Sequence, residues 1–230
     1  MKKILKSGVR IKRATCTKGE PFVASQSISL FIPPAMTVLL DRIRAALSSF
    51  QPQKAHPPDY KRAAVLIPLF LKNEELHVLL TKRTTSVEHH KGQISFPGGA
   101  IDREDADAIS AALREAEEEI GLPRKSVEVL GVLDLYATPS RYSITPVVGF
   151  LHSLPTLAPS SHEVAEIFDV PLSFFLDKLN ERIIPVKREG QWRDVYFYNY
   201  GDYEIWGVTA AIIRSFLQTI TGAHREEAGR

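Results

Sequence analysis

The sequence predicts a mixed α/β or α+β domain in which helices cover a mixed sheet. Three observations predict it. Segments of strand-like and helix-like periodicity alternate along the chain. No repeat or low-complexity tract interrupts them. The 230 residues are 44% hydrophobic and 24% charged, the proportions of an ordinary globular protein with enough chain for one large core.

Taken in order, residues 37–48 carry apolar side chains at helical spacing and predict an amphipathic helix. Pro52, Pro57 and Pro58 make 51–60 a linker. Apolar runs at 63–71 and 76–80 predict two strands joined by a turn at 72–75. A glycine-bearing loop at 92–99 leads into a helix from about 107 to 120, where Gly121, Leu122 and Pro123 form a strong stop. Further strands are expected at 127–136, 145–151, 164–170 and 195–198, with a short helix near 172–179 and a closing helix over 208–220. The expected organisation is a basic extension at 1–35, one domain at 36–222 and a polar tail at 223–230.

Residues 1–35 hold seven basic side chains and one acid, Glu20, while the rest of the chain has 22 basic and 26 acidic residues. A mildly acidic body argues against nucleic acid as a partner, because a basic patch is the usual footprint. The basic leader reads as a solvated tail, a targeting segment, an RNA- or membrane-touching arm, or a start placed too early, since Met36 precedes the well-patterned chain. Neither long uncharged stretch, 21–40 or 142–162, is free of proline, so no membrane-spanning helix is expected. A single cysteine, Cys16, excludes an internal disulfide framework and a multi-cysteine zinc module, and cytoplasm is the expected compartment. A homodimer is compatible with the sequence and not required by it.

The chemistry concentrates in residues 98–122. Advancing about 100° per residue from Glu115 puts Glu119 near 40° and Glu118 near −60°, so three carboxylates share one helix face. Ile109, Leu113, Ala116 and Ile120 fall on the face that must meet a core. Arg114 lies four residues before Glu118 and can brace it. Like charges at this spacing repel by roughly 0.2–0.5 kcal/mol per pair, a penalty that a hard divalent cation removes. Phe96, Pro97, Gly98 and Gly99 form a loop able to bring backbone close to a ligand. Arg83, at the end of an apolar strand, could meet a phosphate bidentately or form a surface ion pair. His89 and His90 read as a surface pair, and Tyr196, Tyr198, Tyr200 and Trp206 as packing, with stacking on an adenine as the alternative role. Walker, Gly-x-Gly-x-x-Gly and Gly-x-Ser-x-Gly motifs are missing, which leaves kinase, dinucleotide-dehydrogenase and serine-esterase readings without support.

Gly99, Asp105, Arg114, Glu115, Glu118, Glu119, Gly121 and Leu122 together resemble a Nudix box, the metal-binding loop-helix of hydrolases acting on nucleoside diphosphates linked to another moiety. Asp105 stands where glutamate is usual, and eight residues separate it from Arg114 where seven are usual. Both departures resemble the coenzyme A pyrophosphatase branch. So do residues 79–83, His90 and 92–99 upstream, and 145–148, 163–172 and 205–207 downstream. Thr84 replaces the small Ser or Ala usual in that branch, and Glu88 stands where it often has arginine.

The resemblance implies an α/β/α sandwich with a mixed central sheet, and a hydrolase that cleaves the pyrophosphate bond of coenzyme A or acyl-CoA to 3′,5′-ADP and 4′-phosphopantetheine. It implies Mg²⁺ or Mn²⁺ held by Glu115 and Glu119, with Glu118 and Gly99 assisting. Arg114 would orient those carboxylates. The base would be a box glutamate, Glu163 or Glu166. Substrate contacts would come from Arg83, Gly98, Gly99 and Arg141. Two alternatives stay open: a Nudix hydrolase of another nucleotide diphosphate such as ADP-ribose, and a non-catalytic nucleotide-binding module.

Overall fold

The computed structural model describes residues 33–52, 55–85, 92–188 and 190–223. Cys16, Glu88, His89, His90 and most of the basic leader therefore lie outside the described residues.

Helix α1 (Pro34–Ser49) begins with proline in its first turn, where a missing N–H removes no helical bond, and buries Leu40, Ile43 and Leu47. Strands β1 (Lys61–Lys72) and β2 (Glu75–Arg83) form a hairpin. Asn73 and Glu74 both take positive φ in its two-residue turn, the twist-matched geometry for a tight hairpin. The hairpin pairs only from Leu69 to Val78 and then splays. Two short strands fill the gap: β3 (Ile94–Ser95) continues on β2, and β4 (Gly98–Ala100) continues on β1. The segment expected as a loop at 92–99 thus contains two strands, too short to show a period in sequence.

Helix α2 (Ala108–Ile120) starts one residue after the expected position, because Asp107 is its N-cap and accepts from Ser110 N–H at 2.7 Å. It ends at Gly121, whose φ of 67° is the left-handed C-cap conformation. The expected strand over 127–136 is two strands, β5 (Val127–Val132) and β6 (Tyr136–Ala137), both paired with β7 (Tyr142–Leu151). β7 runs parallel to β1 along ten residues, while the remaining pairs, including β2 with β8 (Val164–Pro171), are antiparallel. The sheet is mixed, as expected.

A short helix α3 (Leu172–Leu176) leads to a second, three-stranded antiparallel sheet: β9 (Glu181–Arg188), β10 (Gln191–Tyr200) and β11 (Tyr203–Trp206). Only part of β10 was expected. β9 is an edge strand that carries Pro185 and exposed Ile183 and Ile184, so neither burial nor alternation marks it in sequence. Helix α4 (Val208–Thr221) closes the fold.

Apolar side chains fill both faces of the eight-stranded sheet. Ala111, Ala112, Ala116 and Ile120 of α2 pack on Ala64, Leu66, Phe70, Leu79 and Val147. On the other face Leu40, Ile43, Ile212, Ile213 and Phe216 of α1 and α4, with Tyr198 and Ile205 of the second sheet, pack on Ile67, Leu69, Leu80 and Val148. This is a layered sandwich of helices about a mixed sheet, and α2 is the layer that carries the carboxylates. Among the described residues no helix is long and apolar enough to cross a membrane.

Candidate active site

The three carboxylates of α2 share one face, as helical geometry requires, yet packing gives them three environments. Glu119 is buried, with 3% of its surface exposed. Glu115 is mostly covered, and the Glu118 side chain is 58% exposed.

Glu119 accepts a hydrogen bond from Gly98 N–H at 3.1 Å, and Arg83 Nη1 lies 3.5 Å from its other oxygen. Burial pushes its pKa up to about 7, against the pull of the Gly98 amide and Arg83, and the negative charges of Glu115 and Glu163 add to the rise. Glu115 is also raised, chiefly by burial, although Arg114 sits 3.0 Å away and opposes the shift.

Arg114 gathers the box. Nε and Nη2 each donate to Asp105 at 3.0 Å, Nη2 also donates to the Ala100 carbonyl at 3.1 Å, and Nη1 reaches Glu118 at 3.1 Å. The expected brace to Glu118 is therefore present, but the buried partner is Asp105, held well below the usual carboxylate range by that pair of bonds. Asp105 was legible only as an acid at a motif offset; its pairing needed the fold.

The two glycines are held by contact. A Cβ on Gly98 would lie 2.4 Å from the Ala64 carbonyl oxygen, at a φ of 154°. A Cβ on Gly99 would lie 2.6 Å from the Glu115 carboxylate. Gly98 therefore stands where only backbone fits, against β1, whereas Gly99 stands against the movable end of an acid of α2.

Glu163 lies in the turn before β8, and its charge acts on both Glu115 and Glu119. Glu166, the other acid of that region, accepts from the Tyr203 hydroxyl at 2.5 Å, so it is engaged by the second sheet. Arg141 occupies the turn before β7 with a φ of 60°; its N–H donates to Thr138 O and its carbonyl accepts from Lys61 N–H. Tyr198 is buried, whereas Trp206 is 39% exposed, stacks on Phe197 and lines a cleft of about 330 Å³ with Lys82, Gln93 and Tyr203.

Fold and site together define a loop-helix carboxylate centre set on a mixed sheet, and comparison with known proteins agrees. Residues 60–200 match the NUDIX domain. The chain belongs to the Nudix hydrolase family, whose members cleave pyrophosphate bonds in nucleotide derivatives and generally use divalent metal ions. It is 41% identical over 179 residues to the uncharacterized Nudix hydrolase NudL of Photorhabdus laumondii, spanning 76% of this chain and 95% of that one. It is 41% identical over 156 residues to NudL of Escherichia coli K12, spanning 68% and 81%. Among solved structures, a MutT/nudix family protein from Enterococcus faecalis aligns at 18% identity over 80% of this chain and 70% of its own, with a TM-score of 0.45.

The residues present fit such a cation. Glu115 and Glu119 are acids raised chiefly by burial, Glu115 further by the charges of Glu118 and Glu163 and Glu119 by those of Glu115 and Glu163. A nearby positive charge relieves that cost, and carboxylate oxygens suit a hard ion. Among the described residues no three acidic, histidine or cysteine side chains converge into a complete cage. Mg²⁺ commonly takes one or two carboxylates and completes its shell with water and substrate phosphate.

Proposed function

We propose that this enzyme hydrolyses the pyrophosphate bond of coenzyme A, and of acyl-CoA, to 3′,5′-ADP and 4′-phosphopantetheine, using Mg²⁺ or Mn²⁺. The observation that carries the chemistry is Glu119, a buried acid beside Glu115 and under the Gly98 amide. The choice of coenzyme A is supported by residues 79–83 and 92–99 and by the Asp105 variant of the box, which resemble the coenzyme A branch.

In this reading Glu115 and Glu119 hold the cation, with Glu118 and the Gly99 carbonyl assisting. The cation supplies charge neutralisation for the diphosphate and activation of water. Arg114 keeps Glu115 and Glu118 oriented through its contacts to both. Glu163 takes the proton of the attacking water, since it is the carboxylate outside the helix whose charge is felt by both buried acids. Arg83 is near enough to Glu119 to meet a phosphate oxygen at the same centre. Gly98 and Gly99 leave the approach free of side chains, and Arg141 contacts the substrate from the turn before β7.

The test is incubation of the purified protein with coenzyme A and Mg²⁺, resolving products by chromatography and mass spectrometry, with Glu119→Gln alongside. 3′,5′-ADP and 4′-phosphopantetheine, lost in the variant, establish reaction and substrate. Turnover of ADP-ribose without cleavage of coenzyme A overturns the substrate and keeps the chemistry. Metal-dependent nucleotide binding without turnover overturns both.

A further inference from the structure

The turn that carries Glu163 is tied to two elements at once. Toward the end of α2, Ala158 N–H donates to Ile120 O at 2.9 Å and Ser160 N–H donates to Glu119 O at 2.8 Å. Ser160 O in turn accepts from Glu163 N–H at 3.1 Å and Val164 N–H at 2.8 Å, which closes the turn. Toward β2, the residue just past the strand end is Thr84. Its N–H donates to Glu163 O at 2.9 Å, and its hydroxyl donates to His162 O at 2.8 Å.

The ladder is irregular at the same place. Lys82 faces Glu166 but Arg83 faces Val164, so Ala165 is an extra residue on β8. A bulge of this kind bends its strand and re-aims the neighbouring side chains. Past the bulge, two bonds from Thr84 hold the 162–163 peptide to the end of β2, one from its N–H and one from its hydroxyl. The amide bond from Thr84 survives replacement by any residue but proline. The hydroxyl bond is a side-chain tie from β2 to that peptide, and it sits one residue from Arg83, which reaches Glu119. One strand end therefore contacts both a buried acid of α2 and the turn bearing Glu163, whose charge acts on that acid.

We propose that Thr84 is a positioning residue: its hydroxyl clamps the 162–163 peptide and so fixes the position from which the Glu163 side chain serves the α2 carboxylate centre. The catalytic consequence rests on the function proposed above, with Glu163 acting on the attacking water. The methyl of threonine also restricts the hydroxyl to fewer rotamers than serine allows, which suits a fixed tie.

The clamp is tested with four variants: Thr84→Val, which keeps the shape and loses the donor; Thr84→Ser, which keeps the donor; Glu163→Gln; and the Thr84→Val/Glu163→Gln pair. Coenzyme A and ADP-ribose with Mg²⁺ are the substrates. Thr84→Val is expected to lower kcat on the order of tenfold, as a small misplacement of a reacting group does. KM stays within about twofold, since ground-state binding is untouched. Thr84→Ser restores kcat, and the pair is no slower than Glu163→Gln alone. Amide hydrogen exchange across 160–164 quickens in Thr84→Val and returns in Thr84→Ser. An equal loss in both Glu163 backgrounds, an unchanged kcat, or no recovery with serine overturns the clamp. If the parent protein cleaves neither substrate, the proposed function fails by itself. The exchange measurement then decides the clamp: unchanged exchange in Thr84→Val overturns it, and serine-reversible quickening upholds it.

Discussion

Arg114 and Asp105 are joined by two parallel hydrogen bonds, Nε to Oδ1 and Nη2 to Oδ2, each 3.0 Å long. Aspartate is one methylene shorter than the glutamate usual at this box position, and the segment leading to Arg114 is one residue longer. The aspartate nonetheless meets the guanidinium with both oxygens, and Asp102 N–H, donating to Asp105 at 2.9 Å, closes the loop behind it. Because the Asp105 side chain is 5% exposed, solvent does not dilute the pair.

The pair should matter to folding as well as to activity. Asp105→Ala leaves a covered guanidinium short of its main partner and is expected to cost about 2–3 kcal/mol in urea unfolding. Activity should fall with it, since Arg114 also contacts Glu115 and Glu118. Wild-type stability in Asp105→Ala would show that the other contacts of Arg114 suffice.

Neighbouring glycines should separate stability from function. In Gly98→Ala the new methyl meets backbone of β1, which cannot yield, at a φ unsuited to alanine. A loss of about 3 kcal/mol is expected. In Gly99→Ala the methyl meets the end of the Glu115 side chain, which can turn aside. That variant should keep its melting temperature and lose turnover by about 10–100-fold, the scale for a displaced ligand-orienting group. Thermal unfolding and initial rates on one preparation check both.

The raised pKa of Glu119 has a defined sign in stability. Its pKa goes from an ordinary 4.5 to about 7 on folding, so the folded state holds a proton that the unfolded chain releases. In a chelator, the protein should lose stability as pH rises from about 4.5 to about 7, and lose no more from this group above that. Glu119→Gln cannot ionise, so its melting temperature relative to the parent should climb across that window. A difference that stays flat from pH 5 to pH 8 would remove the shift.

The same shift predicts how cation binding and turnover depend on pH. A carboxylate must be ionised to ligate, so Mg²⁺-dependent stabilisation and rate should both rise through about pH 7. Chelation should abolish turnover without unfolding the protein, and Mg²⁺ should raise the melting temperature of the parent but not of Glu119→Gln. Stabilisation of the variant equal to that of the parent would place the cation elsewhere.

How much was readable in advance differs by element. Helix α2 was legible to within a residue, because most of its apolar stripe and its Gly121 stop are local signals; Asp107, expected as its first residue, is its N-cap. The β1–β2 hairpin was legible for the same reason. β3 and β4 were not: each is set by the splay of a hairpin formed elsewhere in the chain. β9 and β11 were missed because they build a second sheet whose edge is solvent-exposed and bears a proline.

For the site, residue types and spacing alone nominated Glu115, Glu118, Glu119, Arg114 and the Gly98–Gly99 loop. A helix dictates which side chains share a face, and a motif dictates which chemistry they suit, because both depend on neighbours within a few residues. Neither could say that Glu119 is buried while Glu118 is exposed, that Arg114 turns to Asp105, that Glu166 is taken by Tyr203, or that Thr84 reaches the Glu163 turn. Those outcomes depend on which distant strand covers each side chain. Burial and pairing across the sheet are properties of the packed chain, and they decide the charge each acid carries.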